Sequence, residues 1–346
     1  MKLGMSIEYA RDPLGQLAKA PDYERAGIDM IWVAEAYGLD AVSVMGYLAS
    51  ITERVEIASG ILPVYTRTPS LLAQTAVGLD TLSDGRFILG LGASGPQVIE
   101  GWHGVPYKKP LQTTREVIEI CRKIWAREEP MTYSGERFTL PLPPEEGTGL
   151  GKPLKIINHP KRAHIPILLA SLGPKNVELT AELADEWLPV FFLPERAHDV
   201  WGDDLARGNA KRDPALGTMG IVAGGMVAIG SEAEVGHYRD LGRPMAALYI
   251  GGMGAKGRNF YNDLVRRYGW EEEAERIQDL YLEGHKEEAM AAIPDELLTA
   301  TSLIGDAGFV RERVEAYREA GVTTLNISPV GADPVRVIEQ LRDIIG

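Results

Sequence analysis

Cysteine is almost absent from this chain: Cys121 is the single one, so no internal disulfide can form. A chain that needs no disulfide suits a reducing compartment, and the cytoplasm is the expected location. Long hydrophobic runs are missing too. No stretch approaches the ~18 apolar residues of a membrane span. The opening MKLGMSIEYAR reaches Glu8 and Arg11 too early for a signal-peptide core. Positive charge is in short supply, with 36 basic against 49 acidic residues and a net charge of −13. An acidic surface of that size repels nucleic acid and anionic membrane, so neither is an expected partner. The six histidines are scattered. His159 and His164 lie in a loop rich in Pro, Lys and Arg and read as surface residues, so no metal site is expected. There is no GxSxG elbow, no HExxH and no P-loop.

What is present is a rhythm. Short β-rich apolar runs alternate with longer amphipathic segments, the signature of βα units and a parallel sheet. Eight runs read as strands: residues 2–7, 29–35, 55–62, 86–92, 165–171, 186–192, 221–229 and 323–328. Helical spacing covers residues 70–82, 114–127, 176–184, 310–320 and 334–345. Eight repeats favour a closed (β/α)8 TIM barrel, class α/β, over an open doubly wound sheet. The 346 residues fit one such domain, and 45% apolar composition can fill its core. Residues 128–164 and 251–301 break the rhythm and read as insertions in barrel loops. Gly251-Gly-Met-Gly254 reads as a mobile loop. Cys121 lies among Val117, Ile120 and Ile124 on a helical face and reads as core.

Several motifs carry chemical possibilities, each beside a plainer reading. Gly90-Leu-Gly-Ala-Ser-Gly95 matches GxGxxG. It follows the fourth strand instead of the first, Pro96 comes next, and the acid at dinucleotide spacing, Glu116, lies in a helical pattern. The preferred reading is a tight strand exit where backbone approaches closely. Ser171-Leu-Gly-Pro-Lys-Asn176 joins a strand to a helix. A helix start with Gly173, Pro174 and Lys175 suits an anion, or is an ordinary βα loop. Gly60-Ile-Leu-Pro63 ends the third strand, as a bulge or a plain strand end. Glu8 and Glu35 end the first two strands, on the face that carries chemistry in such barrels. Strand alternation puts Gly4, Ser6 and Glu8 on one side. Each glutamate is a proton donor or acceptor, or a solvated loop carboxylate. Lys256, Arg258, Arg266 and Arg267 form either a solvated helix face or a hold for an anionic tail.

Three stretches together are more specific. They are Arg67-Thr-Pro-Ser70 with Leu82-Ser-Asp-Gly-Arg86 and the following strand to Gly92, Ile165 through Lys175, and Ala184-Asp-Glu-Trp-Leu-Pro189. With Ser302-Leu-Ile-Gly-Asp306, the chain resembles, nearly end to end, the bacterial-luciferase-like superfamily. The Gly173-Pro-Lys175 segment leans towards its coenzyme F420-dependent branch, typified by methylenetetrahydromethanopterin reductase. The resemblance implies hydride transfer at C5 of a deazaflavin in the barrel mouth and a small-molecule substrate. It implies a non-proline cis peptide at Gly60–Ile61. It also implies cofactor contacts from Gly92, Ser94 and Gly95 at the ring edge, and from Ser171, Gly173, Pro174, Lys175 and Asn176 around the phosphate. A homodimer or higher assembly is implied as well.

The departures matter. Where alcohol- and sugar-phosphate-oxidising relatives carry Asp-His, this chain has Glu35-Ala36. Where they carry a loop glutamate, it has Gly95-Pro-Gln97. Where the reductases carry a carboxylate, it has Ser6, with Glu8 two places on. Tyr9, Tyr37, Trp102 and His103 are further pocket candidates. The expected activity is therefore F420-dependent oxidoreduction, with Glu8 or Glu35 handling a proton. FMN-dependent monooxygenation and a non-catalytic cofactor-binding barrel are the alternatives.

Overall fold

The computed structural model describes residues 1–7, 12–254 and 256–346. Eight strands close on themselves, all parallel, in chain order: β1 (Lys2–Ser6), β2 (Met30–Val33), β3 (Glu56–Ser59), β4 (Phe87–Gly92), β5 (Ile167–Leu169), β6 (Glu186–Trp187), β7 (Gly220–Ala223) and β8 (Thr324–Pro329). Closure comes from β1 against β8, where Gly4 pairs with Asn326. Eight helices cover the outside: α1 (Ala20–Ala26), α2 (Ala41–Ile51), α3 (Pro69–Leu82), α4 (Pro110–Ala126), α5 (Pro174–Leu183), α6 (Pro194–Asn209), α7 (Ala307–Glu319) and α8 (Pro334–Ile345). This is the α/β TIM barrel that the repeat count predicts.

The sequence fixes where the helices start. Proline opens α3, α4, α5, α6 and α8, where its missing N–H costs nothing. Asp40, Thr68, Asp306 and Asp333 cap their helices by accepting a backbone N–H.

Strand alternation divides the core in two. Leu3, Ile31, Ile57, Phe87, Leu89, Ile167 and Trp187 point outward into the layer beneath the helices. Met30, Ala58, Ile88, Leu168, Leu188 and Val222 fill the barrel interior, topped by Trp32, Ile61 and Ala170.

Several predicted strands stop short, the second at Val33, the fifth at Leu169 and the sixth, expected to residue 192, at Trp187, and two more break part-way. The third run stops at Ser59, and after the cis Gly60–Ile61 bond a short pair, Leu62–Pro63, rejoins the end of β4. The seventh divides at Gly224-Gly225. A Cβ there would stand 2.2 Å from the Asn326 carbonyl oxygen or 2.0 Å from that of Thr301. Only glycine permits that crowding, and Met226–Ile229 leaves the barrel to pair with Leu303–Gly305 and the end of β8. The strand Leu303–Gly305 is too short for its pattern to be read from sequence.

The insertions anchor differently. In the first, a hairpin of Tyr133–Ser134 and Thr139–Leu140 is held by the buried Glu116. Its carboxylate accepts the N–H groups of Glu136, Arg137 and Phe138 at 2.7–2.9 Å. The second insertion starts earlier than residue 251. Helices run from Glu232 to Ala300 around their own apolar cluster, which includes Ile250, Val265, Ile277 and Leu297. Gly251 and Gly252 end a helical turn in close contact with Tyr281, so a packed turn stands where glycine content suggested a mobile loop. Phe191 and Trp270 pack against both this cluster and the main core. No helix among the described residues is long and apolar enough to cross a membrane.

Candidate cofactor site at the barrel mouth

The carboxyl ends of β1 to β8 form one rim, and most of the sequence-selected residues stand on it. Gly4 and Ser6 sit on the inward face of β1, since a Cβ on Gly4 would touch Thr324 and Met30. Glu8 and Tyr9, which follow, lie outside the described residues.

Glu35, two residues past the end of β2, sits in a nearly closed ion pair. Its two oxygens accept from Arg67 Nη1 at 2.5 Å and Nη2 at 2.9 Å, and one also takes the N–H of Ala41 at 3.0 Å. Arg67 reaches Asp40 as well, at 2.7 Å. The bidentate bond to Glu35, and then the charges of Glu35 and Asp40, hold the guanidinium pKa above its ordinary value against the effect of burial. Glu35 thus ties the β2 exit to the segment before α3. Sequence reading singled out Glu35 and missed its partner, although Arg67 stands in one of the stretches that carry the resemblance.

Gly60 and Ile61 follow β3, joined by the cis bond that the resemblance implies. A Cβ on Gly60 would lie 2.4 Å from the Trp32 ring. That indole donates to Asn326 Oδ1 at 2.8 Å, tying β2 to β8 across the floor of the mouth. Neither Trp32 nor Asn326 carried a sequence signal.

The GxGxxG motif resolves into separate local needs. A Cβ on Gly90 would stand 1.5 Å from the Ser59 carbonyl oxygen. The buried Ser59 hydroxyl bonds both the N–H and the C=O of Gly90, each at 2.8 Å. Gly92 packs on Ile61, and Ser94 takes a left-handed φ of 58°. Gly95 begins the short helix Pro96–Ile99. The glycines answer close packing at a strand exit, as the sequence reading preferred.

The β5 exit adjoins this segment, with Ala170 N–H on the Leu91 carbonyl at 3.1 Å. Ser171 is buried, its hydroxyl 2.7 Å from that of Thr180, so it braces α5 from within. Gly173 is the N-cap of α5, Pro174 follows, and no side chain caps the helix. Phe260 from the helical insertion lies over Gly173, 3.0 Å from where a Cβ would be. Lys175 is exposed, and Asn176 N–H turns back to the Gly173 carbonyl at 2.9 Å. An uncapped helix start beside a glycine fits a phosphate, and the flat rim of Ile61 and Gly92 over Trp32 fits an uncharged ring system.

The rim carries a feature that sequence reading largely missed, an arc of aromatic rings from five different loops. Trp102 and Tyr37 lie 6.4 Å apart between centroids, and Tyr65 and Tyr107 lie 5.2 Å apart. Tyr249 and Tyr261 meet at 4.7 Å, both edge-on to Phe191 at 5.9 and 6.4 Å. Burial, then the neighbouring Tyr65, pushes Tyr107 up to about 12. Burial, then Tyr249 and Tyr107, raises Tyr261 further, while burial and then Tyr37 raise Tyr249. All three phenols stay neutral at working pH, as hydrogen-bond donors. Tyr107 donates to the Ser94 carbonyl at 3.2 Å and Tyr65 to that of Lys108 at 2.8 Å. His103, beside Trp102, has a buried Nε2 without a partner among the described residues.

Among the basic residues of the second insertion, Lys256 is bound to Asp279 at 2.7 Å, Arg266 to Asn262 at 2.8 Å and Arg267 to the Val200 carbonyl. Arg258 is exposed. His164 pairs with Asp185 at 2.7 Å, and no group of three His, Cys, Asp or Glu gathers as a metal site among the described residues.

Comparison with known proteins gives a consistent result. A family model described as luciferase-like monooxygenase matches residues 5–324. A Mycobacterium tuberculosis protein named as a coenzyme F420-dependent oxidoreductase is 42% identical over 99% of both chains. The coenzyme F420-dependent tetrahydromethanopterin reductase of Methanopyrus kandleri has a similar fold, with a TM-score of 0.78 and 22% identity over 98% of this chain and 96% of that one. The FMN-bound oxygenating constituent of 3,6-diketocamphane monooxygenase from Pseudomonas putida is also similar in fold, with a TM-score of 0.66 and 19% identity over 99% of this chain and 97% of that one.

Proposed function

We propose that this chain, which belongs to the luciferase-like monooxygenase family, is an F420-dependent oxidoreductase that moves hydride between the deazaflavin and a small organic substrate. The observation that carries this reading is the 42% identical relative named for that cofactor, alike over 99% of both chains. The rim supports it. Ser171, Gly173, Pro174, Lys175 and Asn176 would hold the phosphate at the start of α5, where the absence of a side-chain cap and the helix dipole favour an anion. Gly60, Ile61, Gly92, Ser94 and Gly95 would border the ring system. When bound, the deazaflavin supplies hydride at C5, and the protein supplies orientation and exclusion of water.

A proton must move at the substrate. Glu8 and Glu35 are the carboxylates that the sequence offers for it. For Glu35 that requires the bridge to Arg67 to open, since both oxygens are engaged. A carboxylate so held better suits a role that fixes the β2 exit in place. The single cysteine, buried Cys121, supports a reducing, cytoplasmic setting.

The second reading is FMN-dependent monooxygenation, which the description of the family model favours. Parallel fluorescence titrations with F420 and with FMN decide between them. Tight F420 binding with weak FMN binding is the expected result. Preference for FMN, with FMN-dependent oxygen consumption, would overturn it.

A further inference from the structure

The aromatic arc bears on which substrate this mouth receives. Its members come from the loops after β2, β3, β4, β6 and β7, and they meet only because the barrel closes. None is charged. Arg67, on the same face, is already bound by Glu35 and Asp40. Arg137 acts on Tyr65, but among the described residues the electrostatic neighbours of Tyr249 and Tyr261 are other phenols, so an anionic substrate such as a sugar phosphate finds no counter-charge at that end of the arc, while a flat apolar ring finds faces and edges to pack on.

The donors in the arc differ in availability. Tyr65 and Tyr107 are engaged with backbone carbonyls. The hydroxyls of Tyr249 and Tyr261 donate to no group among the described residues, and neither ring is fully buried. The backbone at both tyrosines is tied to one residue. Asn259, 1% exposed, donates to the carbonyls of Tyr249 and Ile250 at 2.9 and 3.0 Å. Its own oxygen accepts the Tyr261 N–H at 2.9 Å. The amide fixes the two backbones, and the edge-on contacts with Phe191 and with each other hold the two unengaged phenols, which together make a preorganised donor site. Tyr261 is the central one, bordered by Tyr249, Phe191 and Tyr107.

We infer that the substrate is an uncharged, ring-bearing ketone or aldehyde, packed in this arc with its carbonyl oxygen on the Tyr261 hydroxyl. The inference rests on the F420 reading for its reductant. The carbonyl carbon gains hydride from the reduced deazaflavin, which is thereby oxidised by two electrons. The C=O π pair moves to oxygen, which takes the Tyr261 proton to give the alcohol. Solvent then reprotonates the tyrosinate. A phenol held neutral gives up its proton only as alkoxide charge develops.

The test uses acetophenone as probe and benzoate as its charged counterpart. Binding of each to the protein is measured by calorimetry without cofactor, and single-turnover reduction of acetophenone is then followed with reduced F420. Wild-type protein is expected to bind acetophenone and not benzoate. Tyr261→Phe is expected to keep acetophenone affinity within about threefold while reduction slows about 100-fold or more. Retained binding also certifies that the variant is folded. Equal binding of benzoate, or wild-type turnover by Tyr261→Phe, overturns the inference. F420 binding without acetophenone binding overturns it too, and leaves the cofactor reading standing. Acetophenone binding without F420 binding removes the cofactor reading and the hydride step, and leaves ring recognition in place.

Discussion

At the scale of single residues, buried carboxylates give the clearest expectations. Glu35 and Arg67 are both nearly covered, with side-chain exposures of 9% and 14%. Removing one partner leaves the other charge unpaired, which costs about 3–5 kcal/mol. Arg67→Met should therefore lose more stability in urea than the double variant Arg67→Met with Glu35→Gln. Equal losses would mean that the pair contributes no coupling. Glu186 faces inward at the opposite end of the barrel, with one carboxylate oxygen buried and unpartnered. Burial, then Glu56, pushes its pKa up to about 7 from 4.5, with Asp185 adding and Lys2 opposing. Between those values the folded protein keeps a proton that the unfolded chain has released. The contribution of Glu186 to stability should therefore fall as pH rises from about 4.5 through about 7, by up to ~3 kcal/mol. Glu186→Gln should remove that decline, and melting temperature against pH for both proteins checks it. Parallel profiles would exclude Glu186 as the cause.

At the scale of elements, the Leu82-Ser-Asp-Gly-Arg86 turn between α3 and β4 stands out. Asp84 and Gly85 take left-handed φ values of 60° and 86° to reverse the chain. Arg86 then donates to the carbonyls of Ser83, Thr52, Val55 and Ala49 and to the Thr52 hydroxyl. It joins the end of α2, the start of β3 and the turn itself. A motif that reads as a family signature is here a structural clasp, at the end of the barrel away from the mouth. Arg86→Lys cannot supply the planar fork, and should cost about 2–4 kcal/mol in denaturant unfolding. Cofactor affinity of the folded variant should stay within about twofold, since the clasp touches no rim residue. A large loss of affinity without loss of stability would move Arg86 into the site.

At the scale of the whole molecule, the question is whether the helical insertion is a separate unit. It has its own apolar cluster, yet Phe191 and Trp270 pack on that cluster and on the main core together. Phe260 of the same insertion covers Gly173 at the start of α5. Shared side chains of this kind couple the two cores, so we propose one cooperative domain. Ile277→Ala, in the middle of the insertion, should cost about 2–5 kcal/mol and lower a single calorimetric transition. A second, earlier transition would show instead that the insertion melts alone. The homo-oligomer that the family resemblance implies is checked by light scattering on the same samples.

What the sequence determined by itself is whatever is written in local pattern. Eight β-rich runs and the prolines that start five of the helices follow from period, propensity and backbone chemistry, and they suffice for a barrel. Gly60, Gly90 and Gly173 announced close approach, though not what approaches. Tertiary structure alone decided the rest, because it depends on contacts between residues far apart in the chain. It ended β3 and β7 early, where neighbouring carbonyls and rings leave no room. It turned Glu35 towards Arg67, 32 positions away. It made Gly251 and Gly252 part of a packed turn. Above all it gathered Tyr37, Tyr65, Trp102, Tyr107, Phe191, Tyr249 and Tyr261 from five loops into one arc. No periodicity joins these residues in sequence, because only closure of the strands brings their loops to the same rim.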